Sequence, residues 1–473
     1  NEVRIDLQKP QNVQFKVTSP TNPAFDPNIY VNYSAQDGTG VTAFIITESS
    51  TVPSYPNDPS SPVKWTIQNP VKDFSQMSVS KNLSGEDREY HLFMHFRDDA
   101  GHVTSIDFPA FKLDTTGPQG SILINNQDEW TNSIQVQTTI TGNDPHDVEE
   151  YALSETNEIP ETFSKFPIQN QKDDTFSRSF SLSPSQGEKT IYLWLEDRVG
   201  NIGGPYSDVI KLDTISPQIN NVKIYSDNSV PSLAKSGDTI TLEFQTSEKV
   251  REPDVSILGQ NATVQPHPES IIKETGESTL IFWKASVNVK DVSQEGITAF
   301  NIRVTDLAGN ISNPKTSTDD ISLVKVDLTK PEKGEGNSVQ ITSNNSLDPN
   351  LAKEGDTVTL TFTMSESIQK PDVTINNYPV DVYSNDNNGG VVWGAKYIIK
   401  KTDPESRVEF TVVHKDLAGN IGVPIETSAS PQKIEIDTVK PVFQSVSIQS
   451  NHTNPKLAKH PNKLILNFLQ HFQ

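Results

Sequence analysis

The chain contains no cysteine among its 473 residues. Disulfide bonds therefore cannot cross-link it, and neither a thiolate nucleophile nor a cysteine-ligated zinc site can form. Long apolar runs are also missing: the sequence has no stretch of 18 or more apolar residues, so no segment predicts a membrane-spanning helix. A cysteine-free chain is still compatible with export, because disulfides are permitted but not required outside the cell.

Positive charge is scarce. The sequence has 39 lysine and arginine residues against 61 acidic residues, which gives a formal net charge of -22. Such a chain repels the phosphate backbone of DNA and RNA and attracts cations. We therefore expect no nucleic-acid partner.

Sequence motifs typical of enzymes are absent as well. There is no Gly-x-Ser-x-Gly elbow, no His-Glu-x-x-His pair and no glycine-rich phosphate loop with lysine. His91 and His95 fall on one face of a predicted strand, but about 13 Å apart at the usual rise per residue, too far to share an ion. We expect both to be surface histidines, and we expect no enzyme.

What the sequence does contain is a short phrase that begins with aspartate, ends with proline and recurs at intervals of 99 to 114 residues. Its five copies are Asp6–Pro10, Asp114–Pro118, Asp213–Pro217, Asp327–Pro331 and Asp437–Pro441. A fixed period of this length indicates an array of modules.

A second phrase precedes each of the last four copies by 16 to 21 residues. It reads Asp-x-x-Gly-Asn or a close variant, which suits a hairpin turn. Its copies are Asp98–His102, Asp197–Asn201, Asp306–Asn310 and Asp416–Asn420. A third phrase, Leu233-Ala-Lys-Ser-Gly-Asp238, repeats as Leu351-Ala-Lys-Glu-Gly-Asp356 and indicates duplication.

These repeats predict four complete modules and two end pieces. The predicted boundaries are residues 11–117 for module 1, 118–216 for module 2, 217–330 for module 3 and 331–440 for module 4. We expect residues 1–10 to be the end of a preceding repeat and residues 441–473 to be an incomplete fifth repeat.

Each module reads as short strands. Ile240, Leu242 and Phe244 alternate with polar neighbours, the period of a half-buried strand, and residues 358–362 repeat the pattern. About 100 residues with roughly seven such strands is typical of an immunoglobulin-like sandwich. We predict an all-β tandem array of immunoglobulin-like β-sandwich domains in an extended arrangement.

The phrases Asp-Leu-Ala-Gly-Asn, Asp-Thr-Thr-Gly-Pro and Leu-Ala-Lys-x-Gly-Asp-Thr also resemble the bacterial Ig-like, fibronectin-III-like tandem repeats of large surface and secreted adhesin-type proteins. The resemblance covers essentially residues 1–473. It implies a bacterial protein located outside the cell or on its surface. It also implies calcium between modules, held by acidic residues in such phrases.

In the family fold, the linker that leaves one module abuts the F–G turn of the next, near the end of strand B. This placement predicts a group of carboxylates at each of four joints, and calcium takes oxygen ligands of this kind. The predicted groups are Asp6, Asp98 and Asp37 at joint 1; Asp114, Asp197 and Asp144 at joint 2; Asp213, Asp306 and Glu248 at joint 3; and Asp327, Asp416 and Glu366 at joint 4.

Simpler interpretations stand beside this one. An aspartate in a turn often only accepts hydrogen bonds from its own backbone. Trp194, Trp283 and Trp393 lie in predicted strands, where core packing is the expected role. Trp65 and Trp130 are undecided, and an exposed ring at either position would favour sugar binding.

These features favour a non-enzymatic stalk or spacer segment of a bacterial cell-surface or secreted adhesin-like protein. Four modules would reach about 120 to 160 Å at the usual strand rise. We expect a monomeric segment whose host-surface or polysaccharide ligand is bound by regions outside it. Two alternatives stay open: carbohydrate- or host-protein-binding accessory domains of a secreted enzyme, and a surface-layer protein.

Overall fold

The computed structural model describes residues 3–19, 26–55, 60, 63–83, 85, 87–145, 148–167, 174–266, 281–290, 294–384, 390–457, 461 and 463–471. These residues form 35 β-strands and two short 3₁₀ helices, so the all-β prediction is confirmed. The described part of the chain has no helix of the length and apolar character that crossing a membrane requires.

The chain forms two compact units, which are described separately. The first comprises Asn1–Ser216 with Leu307–Asn310, and the second comprises Pro217–Asp306 with Ile311–Gln473.

Module 1 is built around one long strand. Its five strands are β1 Gln11–Ser19, β2 Asn28–Thr47, β3 Thr66–Asn82, β4 Glu89–Asp98 and β5 Val103–Lys112. The first half of β2 pairs with β1 and its second half pairs with β4, while β3 runs along the other edge. Between the halves, Gly40 has φ +102° and the pairing register with β3 shifts. Buried side chains of β2 and β4, including Val31, Tyr33 and Met94, meet in one core.

His95 in β4 is not the surface residue that its sequence predicted. It is fully buried beneath Trp65, whose ring centroid lies 6.4 Å from the imidazole. Its ring nitrogens lie 2.9 Å from Thr47 Oγ1 and 2.6 Å from Ser105 Oγ. His91 is exposed, as expected. The prediction is wrong for His95 because the chain at Trp65 covers the outer face of this sheet.

Module 2 is a two-sheet sandwich. Its elements are β6 Gln119–Ile124, the 3₁₀ helix Asn125–Gln127, β7 Trp130–Thr131, β8 Gln135–Asn143, β9 Val148–Ser154, β10 Ser164–Lys165, β11 Asp174–Ser181, β12 Gly187–Asp197 and β13 Ile202–Leu212. One sheet has the order β10-β9-β12-β13-β7 and the other the order β11-β8-β6. Ile140 of the smaller sheet and Leu193 of the larger one are fully buried in the shared core. Two sheets around one core are the immunoglobulin-like arrangement.

Module 3 has ten shorter strands. They are β14 Ile219–Ser226, β15 Leu233–Ala234, β16 Thr239–Thr246, β17 Asp254–Ile257, β18 Gln260–Asn261, β19 Thr263–Pro266, β20 Ile281–Asn288, β21 Gly296–Ile297, β22 Phe300–Arg303 and β23 Lys325–Val326. The sheets have the orders β14-β16-β20-β19, β15-β23-β21 and β18-β17-β22. Ile240, Leu242 and Phe244 all point into the core, as their alternation predicted.

Module 4 repeats this plan. Its elements are β24 Val339–Ser343, β25 Leu351–Ala352, β26 Thr357–Thr363, β27 Asp372–Ile375, β28 Tyr378–Val380, β29 Val382–Ser384, β30 Val392–Ile398, β31 Phe410–Val413, β32 Ile425–Glu426, the 3₁₀ helix Thr427–Ala429 and β33 Glu435–Ile436. The sheets have the orders β24-β26-β30-β29, β25-β33 and β28-β27-β31-β32. Trp393 lies in this core and Trp283 at the equivalent place in module 3, so their predicted packing role is confirmed. Trp194 in β12 of module 2 is buried as well.

After module 4, the described chain ends in a hairpin of β34 Val442–Ser450 and β35 Leu464–His471. Its apolar side chains are exposed: Val446 by 56%, Ile448 by 61% and Leu466 by 50%. Two paired strands cannot bury a core by themselves. This hairpin corresponds to β24 and β26, whose apolar faces are buried by a second sheet.

Candidate metal centres at the joints between modules

Joints 1, 2 and 4 each contain a tight F–G turn that is held by its own aspartate. In the turn between β12 and β13, Asp197 Oδ1 accepts hydrogen bonds from the backbone N–H groups of Val199 (2.8 Å), Gly200 (2.7 Å) and Asn201 (2.9 Å). Gly200 has φ +96°, a conformation that favours glycine. The sequence Asp-x-x-Gly-Asn therefore folds into a tight turn, because the carboxylate of its aspartate accepts hydrogen bonds from the backbone N–H groups of the turn.

The last residue of the turn ties it to the linker that precedes the module. Asn201 Nδ2 donates to Asp197 Oδ2 (2.8 Å) and to the backbone carbonyl of Asp114 (3.1 Å). The two recurring phrases, almost a module apart in sequence, are thus in direct contact. The sequence predicted that their aspartates would meet but did not indicate that this asparagine joins them.

The same bond recurs in other modules. Asn420 Nδ2 donates to Asp416 Oδ2 (2.7 Å) and to the carbonyl of Asp327 (2.9 Å). Within the first unit, Asn310 Nδ2 donates to the carbonyl of Asp213 (2.8 Å). The linker carbonyl is therefore a fixed part of the joint.

A third recurring contact holds the linker to the module that it leaves. In each of the four linkers after modules 1 to 4, a threonine or its neighbour bonds to an acidic or amide side chain of the same module. The pairs are Thr115 with Asp87, Thr214 with Gln186, Thr329 with Glu295, and Thr438 with Glu405. The linker aspartates therefore have defined positions on both sides.

At three joints the structure brings ligand atoms together within 4.8 Å of one another. The groups are Asp6, Asp98 and His102 at joint 1; Asp114, Asp144 and Asp197 at joint 2; and Asp327, Glu366 and Asp416 at joint 4. The turn aspartates are all buried, with Asp98 fully buried and Asp416 only 1% exposed, and at joint 2 the linker residue Asp114 is buried as well.

Joint 1 differs from its prediction in one residue. Asp37 is not in the group. Its Oδ1 accepts from the backbone N–H groups of Thr39 and Gly40, each at 2.8 Å, and so holds a bend in β2. His102 takes the third place, with Nδ1 2.9 Å from Asp98 Oδ2. The available signal was that His102 stands where the other turns have asparagine.

The predicted group of joint 3 divides between the two units. Asp213 belongs to the first, and its Oδ1 accepts from the backbone N–H of Ile215 at 2.9 Å. Glu248 and Asp306 belong to the second. Their convergence with Asp213 stays a prediction.

Negative charge dominates at joint 4, where Lys325 offsets only part of it. Burial raises the pKa of Asp327, and repulsion from Asp416 raises it further. Burial likewise raises the pKa of Glu366, with additional repulsion from Asp327 and Asp416. At joint 1 the hydrogen bond from Thr39 instead lowers the pKa of Asp6. The carboxylates of joint 4 therefore concentrate negative charge, which a bound cation would neutralise.

This donor set suits a hard cation. Calcium takes six to eight oxygen ligands from carboxylates, carbonyls and water. Asp197 and Asp416 do accept hydrogen bonds from the backbone of their own turns, which is the simpler role considered for them. An ionised carboxylate offers about four acceptor sites, however, so these bonds leave sites free for an ion. Turn bonding and ion binding are therefore compatible at one residue.

The two undecided tryptophans do not form an open platform. Trp65 is 3% exposed, and its Nε1 donates to the carbonyl of Pro53 at 3.2 Å. Trp130 is half-buried, and the Lys211 ammonium lies 5.1 Å from its ring centroid. The specific feature that would have favoured sugar binding is absent at Trp65.

Comparison with protein-family models finds no match, and comparison with curated proteins finds none either. Among solved structures, the chain is similar to a tetra-tandem repeat in the extending region of a large adhesion protein. The identity is 13%, the match covers 90% of this chain and 99% of that one, and the TM-score is 0.28.

Two further solved structures share this likeness. One concerns host cell surface retention of a 1.5-MDa bacterial ice-binding adhesin, at 16% identity over 68% of this chain and 98% of that one, with a TM-score of 0.35. The other comprises the fibronectin(III)-like modules of Clostridium thermocellum CbhA, at 12% identity over 46% and 94%, with a TM-score of 0.22. At these identities and TM-scores the likenesses carry no further argument. The sheets and separate cores of this chain are themselves those of all-β modules in tandem.

Proposed function

We propose that this chain is a stalk segment of a bacterial surface or secreted adhesin-like protein, and that calcium at its joints rigidifies it. The observation that carries the proposal is the convergence of linker and turn carboxylates at joints 1, 2 and 4. These joints lie where consecutive repeats meet, so an ion bound there would act on the angle between modules.

The cores support a mechanical role. The four larger apolar clusters each lie within a single predicted module, at residues 15–113, 122–212, 222–326 and 339–436. A module with its own core keeps its shape whatever its neighbour does. The flexibility of such a chain is therefore concentrated at its joints.

The charges explain why an ion would matter. Without a cation, repulsion among Asp327, Glu366 and Asp416 opposes their close approach, as the raised pKa values of Asp327 and Glu366 indicate. Calcium would replace this repulsion with attraction to both sides of the joint. The ion would thereby favour one interdomain angle and an extended stalk that holds a terminal binding element away from the cell.

Small-angle X-ray scattering on the full chain tests this proposal. We expect a shorter maximum dimension with a chelator than with calcium. In the double variant Asp144→Asn/Glu366→Gln, the calcium-dependent difference should shrink, because each change removes one charge from a group and neither residue holds the F–G turn.

The double variant Glu188→Gln/Glu335→Gln is the matched control. It removes the same number of charges from exposed positions that belong to none of the groups. It should keep the full response to calcium. Identical scattering profiles with calcium and with chelator in the parent protein would refute the proposal.

A further inference from the structure

Beside the carboxylate group, joint 4 contains a second contact that uses none of its members. Module 3 has a polar corner at residues 228–238, formed by Asn228, Lys235 and Asp238. Asn228 Nδ2 donates to Asp238 Oδ2 (2.6 Å), and the backbone N–H of Lys235 donates to the same oxygen (2.9 Å). We call these three residues the Asn–Lys–Asp corner.

This corner reaches the F–G turn of module 4. Asn228 Nδ2 also donates to the backbone carbonyl of Ala418, at 2.8 Å, and Ala418 is only 2% exposed. The side-chain carbons of Lys235 lie 3.5 and 3.7 Å from the position that a Cβ on Gly419 would occupy. Small residues in the middle of Asp416–Asn420 thus let the turn sit against the corner.

Module 4 has the same corner, formed by Asn345, Lys353 and Asp356. Asn345 Nδ2 donates to Asp356 Oδ2 (2.7 Å), and the backbone N–H of Lys353 donates to the same oxygen (2.9 Å). The bonds described for Asn345 all stay within module 4. The corner therefore forms without a partner, and its geometry in module 3 exists before the turn of module 4 meets it.

The sequence limits where this contact can occur. Both corners come from the phrase Leu-Ala-Lys-x-Gly-Asp and the asparagine that precedes it, and modules 1 and 2 lack that phrase. The Asp-x-Ala-Gly-Asn phrase and the Leu-Ala-Lys-x-Gly-Asp phrase, which recur separately in the sequence, meet at this one contact.

We propose that the Asn–Lys–Asp corner is a preformed receptor for the Asp-Leu-Ala-Gly-Asn turn of the following module, and that it fastens module 4 to module 3 without a metal ion. The proposal goes beyond the stalk function, because it assigns joint 4 a neutral contact that survives removal of calcium. Module 1 lacks the phrase that forms the corner, so joint 2 has no contact of this kind among the described residues.

The test is the distribution of distances between one spin label in each module, measured by pulsed electron paramagnetic resonance in excess EDTA. Because the chain has no cysteine, Thr263→Cys and Asp372→Cys introduce its only two thiols, at exposed strand positions of modules 3 and 4. We expect a narrow distribution in this labelled parent.

Asn228→Asp should widen the distribution about twofold, because it replaces both N–H donors with an oxygen that faces the Ala418 carbonyl. Asn345→Asp is the matched control: it disturbs the same bonds inside its own module but touches no neighbouring turn, so the distribution should not change. Equal unfolding midpoints of the two variants will show that both modules stay folded.

An unchanged distance distribution in Asn228→Asp, or an equal widening in both variants, would overturn the proposal that the corner is a receptor for the turn. The measurement is made without calcium, so its outcome is independent of the calcium proposal. Adding excess calcium afterwards to the same samples then measures separately how ion binding by the carboxylate group changes the distance distribution.

Discussion

At the scale of single residues, the carboxylates of a joint have two different roles. Asp416 Oδ1 accepts from the backbone N–H groups of Gly419 and Asn420, at 2.6 and 2.9 Å, so it holds the turn together. Glu366 has no described hydrogen bond of that kind, and its pKa is raised by burial and by its acidic neighbours. Asp416 is therefore structural, whereas Glu366 contributes mainly negative charge to the group.

This difference predicts opposite effects of two conservative changes. Glu366→Gln should stabilise the metal-free protein by about 0.5 kcal/mol, a value kept small by solvent screening, and should weaken calcium binding. Asp416→Asn should destabilise module 4 by about 2 kcal/mol with or without calcium, because its new amide would face the Asn420 amide donor. Chemical denaturation with and without calcium distinguishes the two, and destabilisation by Glu366→Gln in chelator would contradict this division of roles.

His95 should make the stability of module 1 depend on pH. Burial lowers its pKa in the folded state below the ordinary value of 6.5. As the pH falls below about 6.5, the unfolded chain takes up the proton first, so stability is lost, by at most about 1.4 kcal/mol per pH unit, until the folded-state pKa is passed.

Scanning calorimetry in chelator at a series of pH values measures this effect. His95→Gln should flatten the pH dependence of one transition between pH 7 and pH 5, while the exposed His91→Gln should leave it unchanged. Equal slopes in the parent and in His95→Gln would show that His95 does not contribute.

At the scale of elements, β2 shows how a turn can be absorbed into a strand. Asp37 and Gly40 form the bend that an immunoglobulin-like B–C turn requires, yet the strand continues from Asn28 to Thr47. A Cβ on Gly40 would lie 2.8 Å from Pro70 Cβ and 2.8 Å from Val71 N in the adjacent strand β3. The bend is thus fixed by backbone conformation and close packing.

Gly40→Ala should therefore destabilise module 1 by about 3 kcal/mol, through both an unfavourable φ and a steric clash. Gly38→Ala is the control within the same bend, because nothing lies within 4 Å of its Cβ position, and it should change stability by less than about 0.5 kcal/mol. Urea denaturation of the full chain measures both changes in stability. Similar effects of Gly40→Ala and Gly38→Ala would contradict the claim that backbone conformation and packing at Gly40 fix the bend.

The elements also show what the sequence could predict. Alternation in residues 240–244 predicted a half-buried strand because one face is polar, and the structure agrees. The burial of His95 was not predictable, because it depends on Trp65 folding back from thirty residues away. His102 was missed for a local reason: an imidazole replaces the expected amide in an otherwise regular turn.

At the scale of the whole molecule, the repeats predicted where separate cores would lie, since a core needs strands that alternate and a linker that ends them. They did not predict the Asn–Lys–Asp corner. Its partner, Ala418, lies 190 residues away in sequence from Asn228. Contacts between modules depend on how the surfaces of two folded modules fit together. A sequence pattern within one module contains little information about that fit.

Calcium binding by the carboxylate groups at the joints can be measured directly, because equilibrium dialysis of the metal-free full chain against calcium counts the bound ions. We predict at least three ions per chain, one for each described group, with affinities of about 10⁻⁴ to 10⁻³ M, the range of extracellular calcium-binding modules. We also predict the loss of two ions in Asp144→Asn/Glu366→Gln and of none in Glu188→Gln/Glu335→Gln. No bound calcium at millimolar concentration, or the same number of ions in all three proteins, would contradict these predictions.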